Sequence, residues 1–319
     1  MVCTDYEPSS HLYELKSCVP YSDALVTGFK RQRPVVAMEI RVTDDGGDEL
    51  TMISYNGRKY PRFPGTTDSK PLEQLPSVEI RSDDILVCAF PKSGTHWVWE
   101  MVRLLVAGKL DYDEVSKGAG MLEYCNEENY KDLPSPRVLN SHLLFNELPK
   151  QVKVKKPKIL YVTRNPKDVT VSFYNFVKKL PMCYNYTGEW KNFVRPSLEG
   201  KFDYGSWFDY VKDWEEVKKT TDVPILTLSY EDIKEDAFRE MKKMQDFLGT
   251  TRSDEFMKEV CDRCSFASMK QIKVMADIVY RKGGTGDWKN WFTVAQNEWF
   301  DKTYQEKMKD CPLEFRYTL

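Results

Sequence analysis

The chain has 319 residues, of which 41% are hydrophobic and 30% are charged, and this ordinary globular composition argues against extensive disorder. Its 47 Lys and Arg residues against 49 Asp and Glu residues give a net charge of −2, which excludes a general nucleic-acid binder and means that an anionic ligand needs a local cluster of cations. No stretch approaches the ~20 apolar residues that cross a bilayer, and the acidic first segment does not resemble a signal peptide, so we expect a cytoplasmic protein without a membrane partner.

The first 75 residues differ in pattern from the rest of the chain. Two runs of alternating apolar and polar residues flank Asp45-Gly46-Gly47 and predict a hairpin or another short antiparallel element. The polar stretch GTTDSKPLEQLP follows. It predicts a boundary between an N-terminal extension over residues 1–75 and a main domain over residues 76–319.

From Asp83 onward, short apolar runs alternate with helical patterns. The runs predict strands at 84–90, 158–162 and 223–228, and the patterns predict helices at 97–105 and 168–178. This alternation favours a central parallel sheet with helices on both faces. Ligands of such sheets bind where strands end and helices begin, so the motifs at these junctions form the candidate site.

The sequence PKSGTHW lies between the first of these strands and its helix. Small residues let the backbone wrap closely around a phosphate, and Lys92, Ser93 and Thr95 add side-chain donors near a helix N-terminus. The segment is not the ordinary P-loop, in which the Lys follows the second Gly. A plain strand-to-helix turn has a similar composition, so the local sequence leaves both interpretations open.

Two further segments offer cations. Arg164 lies at the end of the second strand and Ser172 about two turns into the next helix, and a guanidinium and a hydroxyl suit a phosphate. Arg281 and Lys282 open the glycine-rich loop RKGGTGDWK, which can fold around an oxyanion. A solvated surface loop is the alternative for that segment.

Together these segments resemble the cytosolic sulfotransferase family. PKSGTHW is similar to the family's 5′-phosphosulfate loop, and RNPKDVTVS and RKGGTGDWK are similar to its two 3′-phosphate elements, in the family's order. The resemblance implies that residues 76–319 form a sulfotransferase domain with a three-layer α/β/α fold like that of P-loop nucleotide kinases. It also implies 3′-phosphoadenosine 5′-phosphosulfate (PAPS) as co-substrate, no metal, and a small acceptor with a hydroxyl or an amine.

The resemblance also assigns roles to single residues. Lys92 would act at the oxygen that leaves with the phosphate, and aromatic side chains would contact the adenine, although core packing explains Tyr204 and Phe266 as well. The residues assigned to PAPS are Lys92, Ser93, Gly94, Thr95, His96, Trp97, Arg164, Ser172, Tyr204, Phe266, Arg281, Lys282 and Gly283.

His142 ends a short apolar run, in the sequence NSHL. An isolated His is more often structural than catalytic, but the segment resembles the family's KTHLP, whose His is the general base. A base that titrates near neutral pH suits proton transfer from an acceptor hydroxyl. The implied mechanism is direct in-line transfer, with His142 and Lys92 as the catalytic residues.

Three positions depart from the family pattern. His96 and Cys264 stand where the family has Thr, and each removes a hydroxyl donor from the expected nucleotide site. Asn140 stands where the family commonly has a Lys that helps to hold the sulfonate. Without that Lys, Lys92 would have to stabilise more of the negative charge of the sulfonate, or turnover would be lower.

The segment KNWFTVAQNE resembles the family's dimerisation segment, KxxxTVxxxE. It implies a homodimer through Lys289, Thr293, Val294 and Glu298, with Val294 against its own copy at a two-fold contact. An ordinary amphipathic turn into a helix is the alternative.

Other functions stay open at this level. A P-loop-like nucleotide kinase fits the phosphate loop, but Lys92 precedes the Gly and no Mg²⁺ ligands are evident. A non-catalytic nucleotide-binding relative is favoured by Asn140 and disfavoured by His142. Elimination of a sulfated intermediate would make the enzyme a dehydratase.

Overall fold

A computed structural model of the chain describes residues 37–62, 70–110, 117–124, 126–272 and 280–319. Residues 1–36 of the predicted extension and residues 63–69, which include the start of the predicted linker, lie outside the described residues. Across the described part, no helix is both long and apolar enough to cross a membrane.

The described residues form two sheets and a set of helices. The strands are β1 (Met38–Thr43), β2 (Glu49–Tyr55), β3 (Arg58–Pro61), β4 (Ile85–Ala89), β5 (Val138–Ser141), β6 (Lys158–Thr163) and β7 (Ile225–Ser229). The helices are α1 (Lys70–Gln74), α2 (Thr95–Ala107), α3 (Gln151–Lys155), α4 (Pro166–Lys179), α5 (Pro181–Tyr184), α6 (Trp190–Leu198), α7 (Trp207–Thr220), α8 (Tyr230–Glu235), α9 (Ala237–Leu248), α10 (Asp254–Arg263), α11 (Phe266–Ile272) and α12 (Val294–Met308). Short 3₁₀ turns lie at Leu75–Ser77, Lys117–Gly120, Glu127–Asn129, Phe145–Glu147 and Asp287–Asn290.

The central sheet is parallel, as the alternation of strands and helices predicts. Its strand order is β5-β4-β6-β7, and every residue of β4 is buried. Leu86 and Cys88 face one layer with α4, α7 and α12, whereas Val87 and Ala89 face the other layer with α2, α9 and α10. The predicted three-layer arrangement is therefore confirmed, and all four strands end at the same edge.

Strand β5 was not among the predicted strands. Its four residues are too few for a periodic pattern, but it pairs in parallel with β4 from Ile85↔Val138 to Cys88↔Ser141. This pairing matters because His142 follows β5 directly. The pairing brings the segment that contains His142 to the sheet edge, which the predicted strands alone did not indicate.

The predicted antiparallel element is confirmed as a three-stranded sheet, β1-β2-β3. The turn that holds Gly46 and Gly47 joins β1 to β2, and a second turn at Asn56-Gly57 adds β3. Leu50 and Met52 of β2 pack with Phe173 and Val177 of α4, so the small sheet lies against the helices of the α/β body. The domain boundary near residue 75 remains a prediction.

Candidate active site

The loop after β4 turns sharply to deliver its side chains to the sheet edge. Lys92 and Gly94 both adopt left-handed backbone angles, with φ of 68° and 101°. A Cβ at position 94 would lie 2.7 Å from the Tyr230 ring, so both the angle and the space require Gly there. Helix α2 begins at Thr95, and its N-terminus therefore faces the same point.

The hydroxyl groups of this loop fit an anionic ligand. Ser93 Oγ and Thr95 Oγ1 are buried and have no hydrogen-bond partner within the described part of the chain. Since buried polar groups are nearly always paired, these two donors indicate a ligand that supplies acceptor oxygens. The predicted role of the loop as a phosphate cradle matches these hydroxyls.

Arg164 connects the loop after β4 to the glycine-rich loop. Its guanidinium donates to the carbonyl oxygen of Lys92 at 3.0 Å and to that of Gly284 at 3.1 Å. The same guanidinium stacks 4.1 Å from the centre of the Tyr230 ring. The Arg164 side chain is thus held in place by two loop carbonyls and the Tyr230 ring, and its position does not depend on a bound ligand.

The glycine-rich loop is held in place by Asp168 of α4. Asp168 accepts hydrogen bonds from the backbone amides of Gly286 at 2.7 Å and Trp288 at 3.0 Å. Gly283 has a φ of 64°, and a Cβ there would lie 2.1 Å from the Phe266 ring. This close approach brings two separately predicted site residues, Gly283 and Phe266, into contact.

The two cations of that loop also bind an acid. Arg281 and Lys282 form ion pairs with Asp287 at 2.5 and 2.6 Å, and their hydrogen bonds hold the pKa of Asp287 below its usual value. The sequence did not predict this partner. Both cations also line the cavity at this edge of the sheet, and their ion pairs with Asp287 hold them there.

His142 lies at the sheet edge with one ring nitrogen already bonded. Its Nδ1 lies 2.6 Å from the carbonyl oxygen of Ala89, and because a carbonyl only accepts, Nδ1 carries the proton. Burial and the charges of Lys117 and Lys92 lower the pKa of His142 to about 3, so the ring is neutral. A neutral ring protonated at Nδ1 keeps a lone pair on Nε2, which is the form that accepts a proton.

Glu123 fixes the backbone beside this ring. Its Oε1 accepts the backbone amide of His142 at 2.8 Å and the hydroxyl of Tyr204 at 3.3 Å. The ring of Tyr204 meets that of His142 edge to face, with centroids 5.4 Å apart. Tyr204 therefore lies beside His142 and not beside Trp97.

Tyr230 occupies the position next to Trp97 instead, with ring centroids 5.4 Å apart. No motif in the sequence assigned a role to Tyr230. A signal was present, since Tyr230 follows β7 directly and ligands of parallel sheets bind at that edge. The predicted contact of Tyr204 with adenine stays a prediction, and Tyr230 is the aromatic residue that the structure brings to Trp97.

One cavity collects nearly all of the predicted site residues. Ser93, a loop residue that is 1% exposed, is the exception. The predicted residues that line the cavity are Lys92, Gly94, Thr95, His96, Trp97, His142, Arg164, Ser172, Tyr204, Phe266, Arg281, Lys282 and Gly283.

Positive charge is concentrated in this cavity. Burial and the charges of Arg164, Lys117, Lys179 and Arg281 lower the pKa of Lys92 to about 7. Such mutual repulsion is relieved when an anion binds among the cations. Lys117 and Asp203 also line the cavity, and no motif in the sequence pointed to either of them.

Within the described residues, no three His, Cys, Asp or Glu side chains converge as metal ligands would. The expectation that the reaction needs no metal stays a prediction.

The predicted dimer segment lies on the surface. Lys289, Thr293, Val294 and Glu298 are all exposed, and Val294 is 75% exposed. Thr293 caps α12, since its hydroxyl accepts the backbone amide of Gln296 at 3.2 Å. An exposed valine in the first turn of a well-capped helix is available for a partner.

The parallel sheet, with a cation-lined cavity at the edge where its strands end, defines a three-layer α/β protein that binds an anionic ligand at this edge. A family model described as "Sulfotransferase domain" matches residues 82–312, and the chain belongs to this family. Sulfotransferase 1A1 of Mus musculus is 38% identical over 268 residues, which cover 77% of this chain and 91% of that protein. Amine sulfotransferase of Oryctolagus cuniculus is 34% identical over 288 residues, which cover 84% of this chain and 94% of that protein.

Solved structures agree with this assignment. The crystal structure of a mouse sulfotransferase complexed with PAP has a TM-score of 0.69 at 32% identity and covers 82% of this chain and 96% of that chain. Retinol dehydratase in complex with retinol and PAP has a TM-score of 0.69 at 20% identity, which shows the shared fold, and covers 86% of this chain and 94% of that chain. The protein is a PAPS-dependent sulfotransferase, and the predicted family and fold class are confirmed.

Proposed function

We propose that this enzyme moves the sulfuryl group of PAPS to a hydroxyl or an amine of a small lipophilic acceptor, with His142 as general base. The observation that carries the proposal is the state of His142. A neutral ring whose Nδ1 is bonded to the Ala89 carbonyl presents Nε2 as a base in the cavity that Lys92 also lines. Proton removal and leaving-group stabilisation are then available in one site.

The bound co-substrate supplies an activated sulfuryl group and a phosphate as leaving group. Nε2 of His142 takes the acceptor proton as the new bond from the acceptor oxygen or nitrogen to sulfur forms and the bond from sulfur to the bridging oxygen breaks. The ammonium of Lys92 stabilises the negative charge that collects on that oxygen. Positioned cations and donors of this kind supply electrostatic stabilisation without further reorganisation.

The low pKa of His142 is compatible with this role. Two nearby cations, Lys117 and Lys92, contribute to the shift. An anionic co-substrate among these cations offsets their charge and raises the basicity of the ring. His142 is therefore expected to become a stronger base only when the nucleotide is bound.

Lys117 is proposed as a second cation at the transfer site. It is 6% exposed, it lines the cavity, and its backbone carbonyl accepts the side-chain amide of Asn140 at 2.9 Å. The side chain of Asn140 thus holds the backbone of a lysine whose charge reaches both His142 and Lys92. Lys117 would share with Lys92 the charge of the group in transfer.

The remaining predicted residues are proposed to bind the nucleotide. Ser93 and Thr95 would donate to the 5′-phosphate. Arg164, Ser172 and Arg281 would hold the 3′-phosphate, while Lys282 and Gly283 shape the loop around it. Trp97 and Phe266 would contact the adenine, with Tyr230 in the position first assigned to Tyr204.

The acceptor is proposed to be lipophilic because mainly apolar side chains line the cavity beside the cations. These are Met121, Phe173, Phe176, Tyr184 and Tyr204. Phe176 is also held against the Nζ atom of Lys92, 4.0 Å from its ring centre.

A transfer assay tests the proposal. The purified protein, supplied with PAPS, is screened against phenols, aliphatic alcohols, sterols and amines, and products are weighed by mass spectrometry. Sulfated product with at least one class is the expected result, and a dehydrated product would identify the eliminating alternative. Tight binding of the 3′,5′-bisphosphate without transfer to any class would contradict the proposed function.

We also propose that the enzyme forms a dissociable homodimer through Lys289, Thr293, Val294 and Glu298. A segment of this size buries well under the ~800 Å² per partner of a standard interface. Val294→Glu puts a charge at the centre of the two-fold contact and should shift the protein toward monomer in light scattering at micromolar concentration. A wild-type monomer, or a variant that stays dimeric, would exclude this segment as the interface.

A further inference from the structure

Asp203 places a carboxyl group in a part of the cavity whose neighbouring walls are aromatic. It is 2% exposed and lines the cavity together with Tyr184 and Tyr204. Its Oδ2 accepts the hydroxyl of Tyr184 at 2.9 Å. Its Oδ1 is buried and has no hydrogen-bond partner within the described part of the chain.

The contacts of Asp203 locate it on the acceptor side. The next residue, Tyr204, meets the ring of His142. The ring of Tyr184 lies 6.3 Å from that of Phe176, which in turn covers Lys92. Asp203 is therefore connected to His142 through Tyr204, and to Lys92 through Tyr184 and Phe176.

The surroundings leave the carboxyl group short of a donor. Burial raises its pKa to about 7, against the effects of the Tyr184 hydrogen bond and of the backbone amide of Asp203 itself. A buried carboxyl oxygen without a donor costs stability, and such groups in native proteins usually have a partner. A ligand that enters the cavity can be that partner.

We propose that Asp203 binds a hydrogen-bond donor on the acceptor, at the end remote from the group that is sulfated. This inference rests on the proposed function, because it concerns the acceptor of the same reaction. An ammonium group is the best match, since it brings the opposite charge into a site walled by aromatic rings. A hydroxyl group would satisfy the same oxygen without the charge. The enzyme is thus selective for bifunctional acceptors, such as phenols with an amine-bearing side chain.

The test uses para-substituted phenols that differ only at the end of the side chain. For benzyl, phenethyl and phenylpropyl tethers, the end is an ammonium, a hydroxyl or a methyl group. We expect kcat/KM for the best ammonium phenol to exceed that for its methyl counterpart by about 10-fold or more, with the hydroxyl compound between them. Asp203→Asn should reduce this ratio by about 10-fold, whereas Asp310→Asn, at an exposed acid, should leave it unchanged.

Calorimetric binding of the same phenols to the wild-type protein, with the 3′,5′-bisphosphate present, keeps the proposal testable if Asp203→Asn does not fold. The ammonium compound should bind about 10-fold or more tightly than its methyl counterpart. Equal affinities at all three tethers, or an unchanged kcat/KM ratio in Asp203→Asn, would overturn the role of Asp203. If the proposed function is wrong, the result differs. No phenol would be sulfated in that case, although the ammonium compound could still bind more tightly than its methyl counterpart.

Discussion

The nucleotide end of the cavity is built from loops, and the acceptor end is built from buried side chains that are far apart in the sequence. At the nucleotide end, Lys92, Arg164 and Arg281 come from three segments, each of which is a continuous motif. At the acceptor end, Lys117, Asp203 and Tyr184 come from three unrelated segments. The continuous motifs suit a ligand that is always the same, a nucleotide with two phosphate groups. The residues at the acceptor end can differ according to the acceptor.

The two ends also differ in how their polar groups are arranged. Cations crowd the nucleotide end, where their repulsion adds to the effect of burial and lowers the pKa of Lys92. The acceptor end holds the buried carboxyl group of Asp203, whose raised pKa follows chiefly from burial. His142 lies between them, so a change at either end should alter a different kinetic constant.

His142→Ala should have the largest effect because it removes the base that serves both ends. General base catalysis is worth ~10²–10⁴-fold, so kcat should fall by about that factor. Affinity for the 3′,5′-bisphosphate, measured by calorimetry, should stay near the wild-type value, since the phosphate loops are intact. Near-normal turnover in the variant would mean that another group takes the proton.

Lys117→Met should reduce kcat by about 10²-fold if Lys117 stabilises charge during transfer, by analogy with the loss of one positioned donor. Lys117→Arg keeps the charge and should recover much of the lost rate. Single-turnover kinetics distinguish this from slow product release. If Met and Arg variants are equally slow, the charge of Lys117 is not what matters, and a packing role would explain the loss.

The sequence was enough to predict which residues gather at the proposed nucleotide end of the cavity, but not those at the proposed acceptor end. PKSGTHW, RNPKDVTVS and RKGGTGDWK each carry their chemistry in consecutive residues, and strand-to-helix junctions at one sheet edge bring them together. Strand β5 was too short to show a period, and the sequence pattern did not indicate that Tyr204 contacts the ring of His142 or that Tyr230 contacts the ring of Trp97. Lys117 and Asp203 acquire their environment only through tertiary packing, which leaves no local pattern to detect.

Arg164→Ala tests the nucleotide end alone. A hydrogen bond to a charged group contributes roughly 1.5–3 kcal/mol, so affinity for the 3′,5′-bisphosphate should fall by about 10–10²-fold. The KM of the acceptor should change little, because Arg164 contacts the phosphate loops and Tyr230. Arg195→Ala is the matched control, since that side chain is 53% exposed and lies outside the cavity lining. Unchanged affinity in a folded Arg164→Ala protein would remove Arg164 from the nucleotide site.

Asp203→Asn tests the acceptor end in the absence of any ligand. Its effect is on the melting temperature, and we expect it to be the smallest of the effects predicted here. Burial raises the pKa of Asp203 from 3.8 to about 7, so the folded protein retains a proton that the unfolded chain releases between about pH 4 and 7. The wild-type protein therefore loses stability relative to the variant as the pH rises through that window. At pH 4, near the lower end of that window, the folded wild type is neutral at Asp203 and little of the loss has accumulated, so the melting temperatures should be close.

At pH 8 the carboxylate is charged in its buried site, and Asp203→Asn should melt several degrees higher than the wild type. A rise in pKa from 3.8 to about 7 corresponds to roughly 4 kcal/mol, and ~1 kcal/mol corresponds to about 1.5 °C in a chain of this length. Asp310→Asn, at an exposed acid, should show no such dependence on pH. An equal gain at both pH values would mean that Asp203 is not buried as a charge. An ammonium phenol added at saturation should narrow the difference at pH 8, because it binds the carboxylate of the wild type and gains less from the amide of the variant. The same carboxyl group would then lower the stability of the free enzyme and select the acceptor. The phosphate loops differ in this respect, because they bind the same nucleotide whichever acceptor is used.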